Sequence, residues 1–139
     1  MLIARWLVAL VALYNFGGLI ADAVVTSTAR MHIHNPAWPP HAKFHNVQTM
    51  LMGVMFGTLT LVILFAVPLT LTTFLIAVCT CGIYFWSMLL GEFFPAKTAW
   101  VDPEFAPGVR KVAGLPPQKF VACVLTGLLI VAVVIAFVS

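Results

Sequence analysis

The chain has 139 residues, of which 63% are hydrophobic and 8% charged, and its mean hydropathy is +1.10. A water-soluble core of this size could not hide so much apolar surface, which excludes a soluble globular enzyme and points to a membrane protein. The formal net charge of +3 is too small, and too tied to two loops, for a nucleic-acid binder.

A membrane-spanning helix needs about 20 mostly apolar residues and satisfies all of its own backbone polar groups. Four segments qualify, which predicts an all-α, integral membrane four-helix bundle forming a single domain over 1–139. The first covers about 2–25 and is interrupted by Arg5, Asn15 and Asp22. Its Ala21-Asp22-Ala23 also fits the small-x-small pattern of a cleaved signal. The run is long for a signal and the acidic centre is unusual, so a retained helix is expected. A histidine-rich loop follows over 27–46, and the second helix is expected over 47–67, ending at Pro68. The nearly apolar turn there must be short, making the third helix, 71–91, its antiparallel neighbour. The third helix carries Cys79, Cys81 and Tyr84; two cysteines two residues apart point to different sides and read as packing residues. The segment 92–118, rich in proline and charge, reads as an ordered external loop, and 120–138 as a nearly featureless last helix.

Four spans put both long loops on one face. Arg30, Lys43, Lys97, Arg110, Lys111 and Lys119 lie there, against Arg5 on the terminal face, so the positive-inside rule places the loops in the cytoplasm. The expected location is a bacterial inner membrane, with multiple passes.

The polar chemistry concentrates in the first loop, where His32, His34, His41 and His45 fall within fourteen residues. If a helix begins at Pro39-Pro40, His41 and His45 stand one turn apart on one face, with Gln48 and Met52 continuing it. Such a pair can chelate a transition metal or offer one imidazole as an axial haem ligand, the other acting on a proton. His32 and His34, if extended, share a side and would complete or orient that site. Asp22 and Glu92 close the loop ends of two helices, and Tyr84 lies about two turns deeper than Glu92; ionisable groups at such depth mark a site or a pathway. The resulting candidates are His45 as cofactor ligand, His41, Tyr84, Glu92 and Asp22 as catalytic groups, and His41, His45, His32 and His34 as metal ligands. The competing reading has the histidines as ordinary interfacial residues and the carboxylates paired with Arg30, Lys97 or lipid headgroups.

The run Asn35-Pro36-Ala37-Trp38-Pro39-Pro40-His41-Ala42-Lys43-Phe44-His45-Asn46 resembles the signature of a family of small four-helix membrane proteins of bacteria and fungi with no established activity. More distantly, Lys43-Phe44-His45 before the helix at Met50 to Met55, and Gly82-Ile83-Tyr84, are similar to segments of the styrene oxide isomerase family. That resemblance implies His45 as ligand of a haem b whose ferric iron acts as a Lewis acid on an epoxide, with Tyr84 in the position of a catalytic tyrosine. The asparagine that holds substrate in that family falls on Leu51 here, and Pro39-Pro40-His41-Ala42 has no counterpart there.

Together these readings predict a small multi-pass enzyme, an isomerase or oxidoreductase, acting on a hydrophobic small molecule, with haem b or a transition metal as candidate cofactor. Its partners would be the lipid bilayer and further copies of itself. The alternatives are an electron carrier and a non-catalytic membrane module, such as a transporter accessory or lipid-binding subunit.

Overall fold

The computed structural model describes residues 1–96 and 98–138. Its helices are α1 (Leu2–Tyr14), α2 (Gly17–Leu19), a π-helical turn (Ile20–Val24), α3 (Thr26–Ala29), α4 (Pro40–Ala66), α5 (Leu71–Gly91), a short 3-10 turn (Ala106–Gly108) and α6 (Pro117–Val138). Among the described residues there is no strand. Four stretches, Leu2–Val24, α4, α5 and α6, are long and apolar enough to cross a membrane. α4 packs on α5, α5 on α6, α6 on α1 and α1 on α4, which closes an all-α four-helix bundle.

Local chemistry explains the helix ends. Pro39 is extended and Pro40 occupies the first turn of α4, where a missing N–H costs nothing. α4 therefore starts seven residues before the expected 47 and takes His41 and His45 into the helix. At about 1.5 Å per residue its 27 residues span roughly 40 Å, against a hydrocarbon layer of about 30 Å. The excess of about 10 Å is two turns, enough to lift the histidines to headgroup level. At the opposite face Val67 turns extended before Pro68, and α5 opens on a reciprocal cap. The Thr73 backbone N–H donates to Thr70 Oγ1 at 3.2 Å, and the Thr70 N–H donates to Thr73 Oγ1 at 2.9 Å.

The inward stripe of α4 is Met50, Gly53, Gly57, Thr60 and Leu64. A Cβ built on Gly53 would lie 2.7 Å from the Asn15 carbonyl oxygen, and one on Gly57 2.7 Å from that of Ala12. The glycines thus let α4 lie against the α1 backbone, the close approach that small residues four apart permit between helices in lipid. Behind this contact the core is built of Val8, Val11, Ala12, Phe74, Ala77, Val78, Leu129 and Ala132.

The first span is not one continuous helix. It breaks at Asn15-Phe16, resumes over Gly17–Leu19 and widens into the π turn. Asn15 is fully buried and its Nδ2 donates to the Cys81 carbonyl at 3.3 Å, fixing the break against α5. Irregular helix at membrane depth is tolerated where protein surrounds it, and π turns are frequent at functional sites.

Candidate functional site

Asp22 sits inside the π turn and is 8% exposed. Its Oδ1 lies 3.3 Å from His32 Nδ1, and its Oδ2 accepts from Asn46 Nδ2 at 3.1 Å. His32 Nδ1 is also 2.8 Å from the Thr28 carbonyl oxygen. Both neighbours of Nδ1 are acceptors, so that nitrogen carries the proton and Nε2 keeps the lone pair. This is the arrangement of a carboxylate orienting an imidazole base. The imidazole is further held edge-on to Trp38, with ring centroids 5.8 Å apart.

Local folding explains why His32 reaches Asp22. Residues 31–34 form turns rather than an extended strand. The backbone N–H groups of His32 and His34 both donate to the Ala29 carbonyl, and buried Asn35 accepts from the Ala37 N–H through its side chain. This coiling turns His32 inward and leaves His34 exposed. The two histidines do not share a side, and the extended segment expected for them does not form.

Three cavities meet at Asp22. One of about 400 Å³ lies under the second loop and is lined by His32, Trp38, Trp100 and Phe105. A second, of about 230 Å³, lies between α1–α2, α5 and α6, lined by Tyr14, Gly17, Gly18, Tyr84 and Val121. The third, of about 300 Å³, lies between α4 and α5, lined by His32, Asn46, Met52, Phe56 and Tyr84. Gln118 lines all three. Tyr84 lines the two deeper ones, and its hydroxyl fills the space where a side chain at Gly18 would begin, 2.6 Å from a Cβ there. Asn46 Oδ1 is buried and has no hydrogen-bond partner among the described residues. With Nδ2 committed to Asp22, it is a buried acceptor with nothing to accept from among the described residues.

Asp22, His32 and Tyr84 are thus brought together. The other candidates lie elsewhere. His41 and His45 are exposed, their Nε2 atoms 3.1 Å apart, with His45 Nδ1 3.1 Å from Gln48 Oε1. Gln48 continues that exposed face, and Met52, partly exposed, lies where it meets the cavity between α4 and α5. The spacing argument identified the shared face correctly but not which way it points. Among the described residues no three His, Cys, Asp or Glu side chains stand together as metal ligands, so the four-histidine metal site does not assemble. His45 lines none of the cavities, and both its ring nitrogens are engaged by His41 and Gln48. A porphyrin needs an enclosing apolar slot, so the chain's own residues do not fit haem at His45.

Glu92 is also displaced from the site. Its carboxylate accepts from Lys119 Nζ at 2.7 and 2.9 Å and from the Trp100 indole N–H. These donors, Lys119 first, hold the Glu92 carboxyl below its ordinary pKa. Glu92 is therefore a tie that fixes Trp100 of the second loop to α6, not an acid beside Asp22. Lys97, one of its expected partners, lies outside the described residues.

Asn46, Gln118 and Trp100 went unnoticed in the sequence. Asn46 had a usable signal: it lies seven residues before Gly53, on the stripe of the Gly53-x-x-x-Gly57 pair, and so on the inward face. Gln118 and Trp100 have none, because a loop's contacts follow from its path.

No curated protein and no solved structure matches the chain. A family model, described as a family of unknown function (DUF6640), matches residues 7–124, which takes in all of the second and third spans, both long loops and every residue of the site. The chain is a member of that family.

Proposed function

We propose that the protein is a small multi-pass membrane enzyme that isomerises a hydrophobic small molecule by moving a proton, with His32, held by Asp22, as the base and Tyr84 as the acid. The observation that carries this reading is the nearly buried Asp22 carboxylate, held by His32 and Asn46 where three cavities meet. Ionisable groups kept at this depth are costly and mark function. His32 Nε2 removes a proton from a carbon beside a carbonyl, and the C–H electron pair becomes a new C=C bond. The carbonyl oxygen takes the Tyr84 proton, giving an enol whose hydroxyl donates to Asn46 Oδ1. The substrate carries a C=C bond next to the deprotonated carbon, so the enol is a dienol; its collapse returns the oxygen's proton to Tyr84 while the far end of the diene takes the proton from His32, which moves the C=C bond into conjugation with the carbonyl. Atoms and charge balance without oxidant or reductant. The α-helical architecture suits a bacterial inner membrane, since outer-membrane spans are β-barrels.

The test is deuterium exchange. The protein in phosphatidylcholine vesicles in D2O is given a panel of lipophilic unsaturated ketones, and mass spectrometry reads incorporated deuterium. Asp22→Asn and His32→Gln are expected to lower the exchange rate by about 10²- to 10⁴-fold, the range of positioned acid-base groups. Exchange that persists undiminished in both variants sinks the reading. The second reading, a non-catalytic module, draws on the exposed His34, His41 and His45. It expects no exchange from the unaltered protein, whereas the enzyme reading expects exchange that His41→Ala leaves unchanged.

A further inference from the structure

The cavity between α1–α2, α5 and α6 differs from the other two in where it lies. Tyr84 stands seven residues before the end of α5, roughly 10 Å below it at about 1.5 Å per residue, and Gly18 is six residues before the end of the first span. Both depths fall inside a hydrocarbon layer of about 30 Å. Tyr14 and Gly17 from the first span and Val121 from α6 line it and are all partly exposed, on two helices that pack side by side in the bundle. Tyr14 is half exposed. The lining is apolar apart from Tyr14 at the rim and Asp22, Tyr84 and Gln118. Gly17 leaves open space here because it has no side chain, in the segment where the first span is broken, while the absent side chain of Gly18 makes room for the Tyr84 hydroxyl.

We propose that the substrate reaches Asp22 sideways from the bilayer, between the Gly17-Gly18 segment and α6, and that it is a neutral lipophilic molecule carrying one hydroxyl or enolisable carbonyl. The role given to Asp22 rests on the function proposed above; the portal itself does not. Two observations fix the class. Among the described residues that line the cavity, Tyr84 and Gln118 supply hydrogen-bonding groups beside Asp22, enough to hold one hydroxyl or carbonyl oxygen of a ligand. A carboxylate ligand would be repelled by Asp22, and a bulky polar head would leave its own groups unsatisfied against the apolar wall.

The geometry supplies a blocking variant that touches no site residue. A Cβ on Gly17 meets only the Tyr14 ring, at 3.7 Å, an ordinary contact, so the position has room for a side chain to begin, and Gly17→Leu is chosen to fill the rim. The probe is a ten-carbon alcohol bearing a diazirine, photolysed with the protein in phosphatidylcholine vesicles, and the labelled positions are mapped by peptide mass spectrometry. Label is expected at Tyr14, Ala21 and Val121, competed by unlabelled decanol. Gly17→Leu should lower it about tenfold, as overfilling a fitted pocket does. Val121→Trp, filling the opposite rim, is the second variant and should act alike. Label confined to Trp100, Val101 and Phe105 would overturn the portal and place the route at the loop face, leaving the acid-base proposal standing. Label spread evenly over outward residues such as Met55 and Leu59 and indifferent to both variants would overturn it as well. Asp22→Asn keeps the rim label if the portal is real, so failure of the chemistry and failure of the route are told apart.

Discussion

Asn46 shows how a single side chain links fold to chemistry. Its amide donates to Asp22 with one end and presents an open acceptor with the other. Replacing it by Leu removes one of the two side-chain donors to a nearly buried carboxylate, leaving His32 alone to hold it. Asn46→Leu is expected to slow the deuterium exchange about tenfold, matching the loss of one hydrogen bond to a charged group at about 1.5 kcal/mol. His45→Ala, one position away, is expected to leave the rate unchanged, and exchange assays on both variants decide this. That contrast reverses the order of importance read from the sequence. His-x-x-x-His spacing says that two side chains share a face, whereas the face's direction depends on which helix packs where. Asp22 was legible because a carboxylate in a spanning segment needs a partner. Its partner was not, because the turn at residues 31–34 depends on backbone bonds to Ala29 that no local pattern announces.

Glu92 makes a prediction of its own at this scale. Its pKa is held below the ordinary value of 4.5 by Lys119 and Trp100. A lowered carboxyl pKa means the tie is fully present above pH 4.5 and is lost as the pH falls through the lowered value. Acid should therefore release Trp100 and raise its accessibility to a soluble quencher such as acrylamide, read in a protein whose other tryptophans are replaced by Phe. Glu92→Gln should show the raised accessibility already at neutral pH, with no further change on acidification. A quenching profile that is identical in both proteins would remove Glu92 as the tie.

At the scale of elements, two contacts join the first span to its neighbours, and their magnitudes differ. The Asn15 amide bond to the Cys81 carbonyl is a polar contact between helices in lipid, a kind worth on the order of 0.6–2 kcal/mol. The Gly57 contact is steric: any Cβ lies 2.7 Å from the Ala12 carbonyl oxygen and 2.9 Å from the Phe16 ring. Backbone cannot give way as a flexible side chain does, so Gly57→Leu is expected to cost about 3 kcal/mol or more, above the usual overpacking range. Asn15→Leu should cost about 1 kcal/mol. Reversible unfolding in mixed micelles measures both, and equal losses would show that α1 and α4 are free to separate. Hydropathy located four helices, missing by seven residues only the start of α4, because burial in lipid leaves an unmistakable length and composition. It could not locate the break at Asn15-Phe16 or the π turn, since an apolar residue is equally at home in an α or a π segment. Those irregularities nevertheless aim Asp22 at His32.

At the scale of the whole molecule, the polar machinery is confined to one end of the bundle. Asp22, His32, Asn46, Gln118 and the Glu92–Lys119 pair all belong to the loop face. Below Asp22 on the first span there is no acidic or basic side chain until Arg5, and α5 has none. α4 has none after Lys43 and His45, and α6 none after Lys119. The apolar core of Val8, Val11, Leu64, Phe74 and Leu129 fills the remaining depth. This asymmetry has an electrical consequence. In the cycle proposed above, a proton picked up at His32 meets no charged side chain toward the far side before Arg5 among the described residues, so it would return to the compartment it came from. No charge then crosses the dielectric during turnover, and the membrane voltage performs no work on the cycle. Exchange measured in vesicles holding a potassium gradient should run at the same rate when valinomycin is added to generate a diffusion potential or withheld, and a rate that follows the voltage would mean that the insulating half of the bundle conducts.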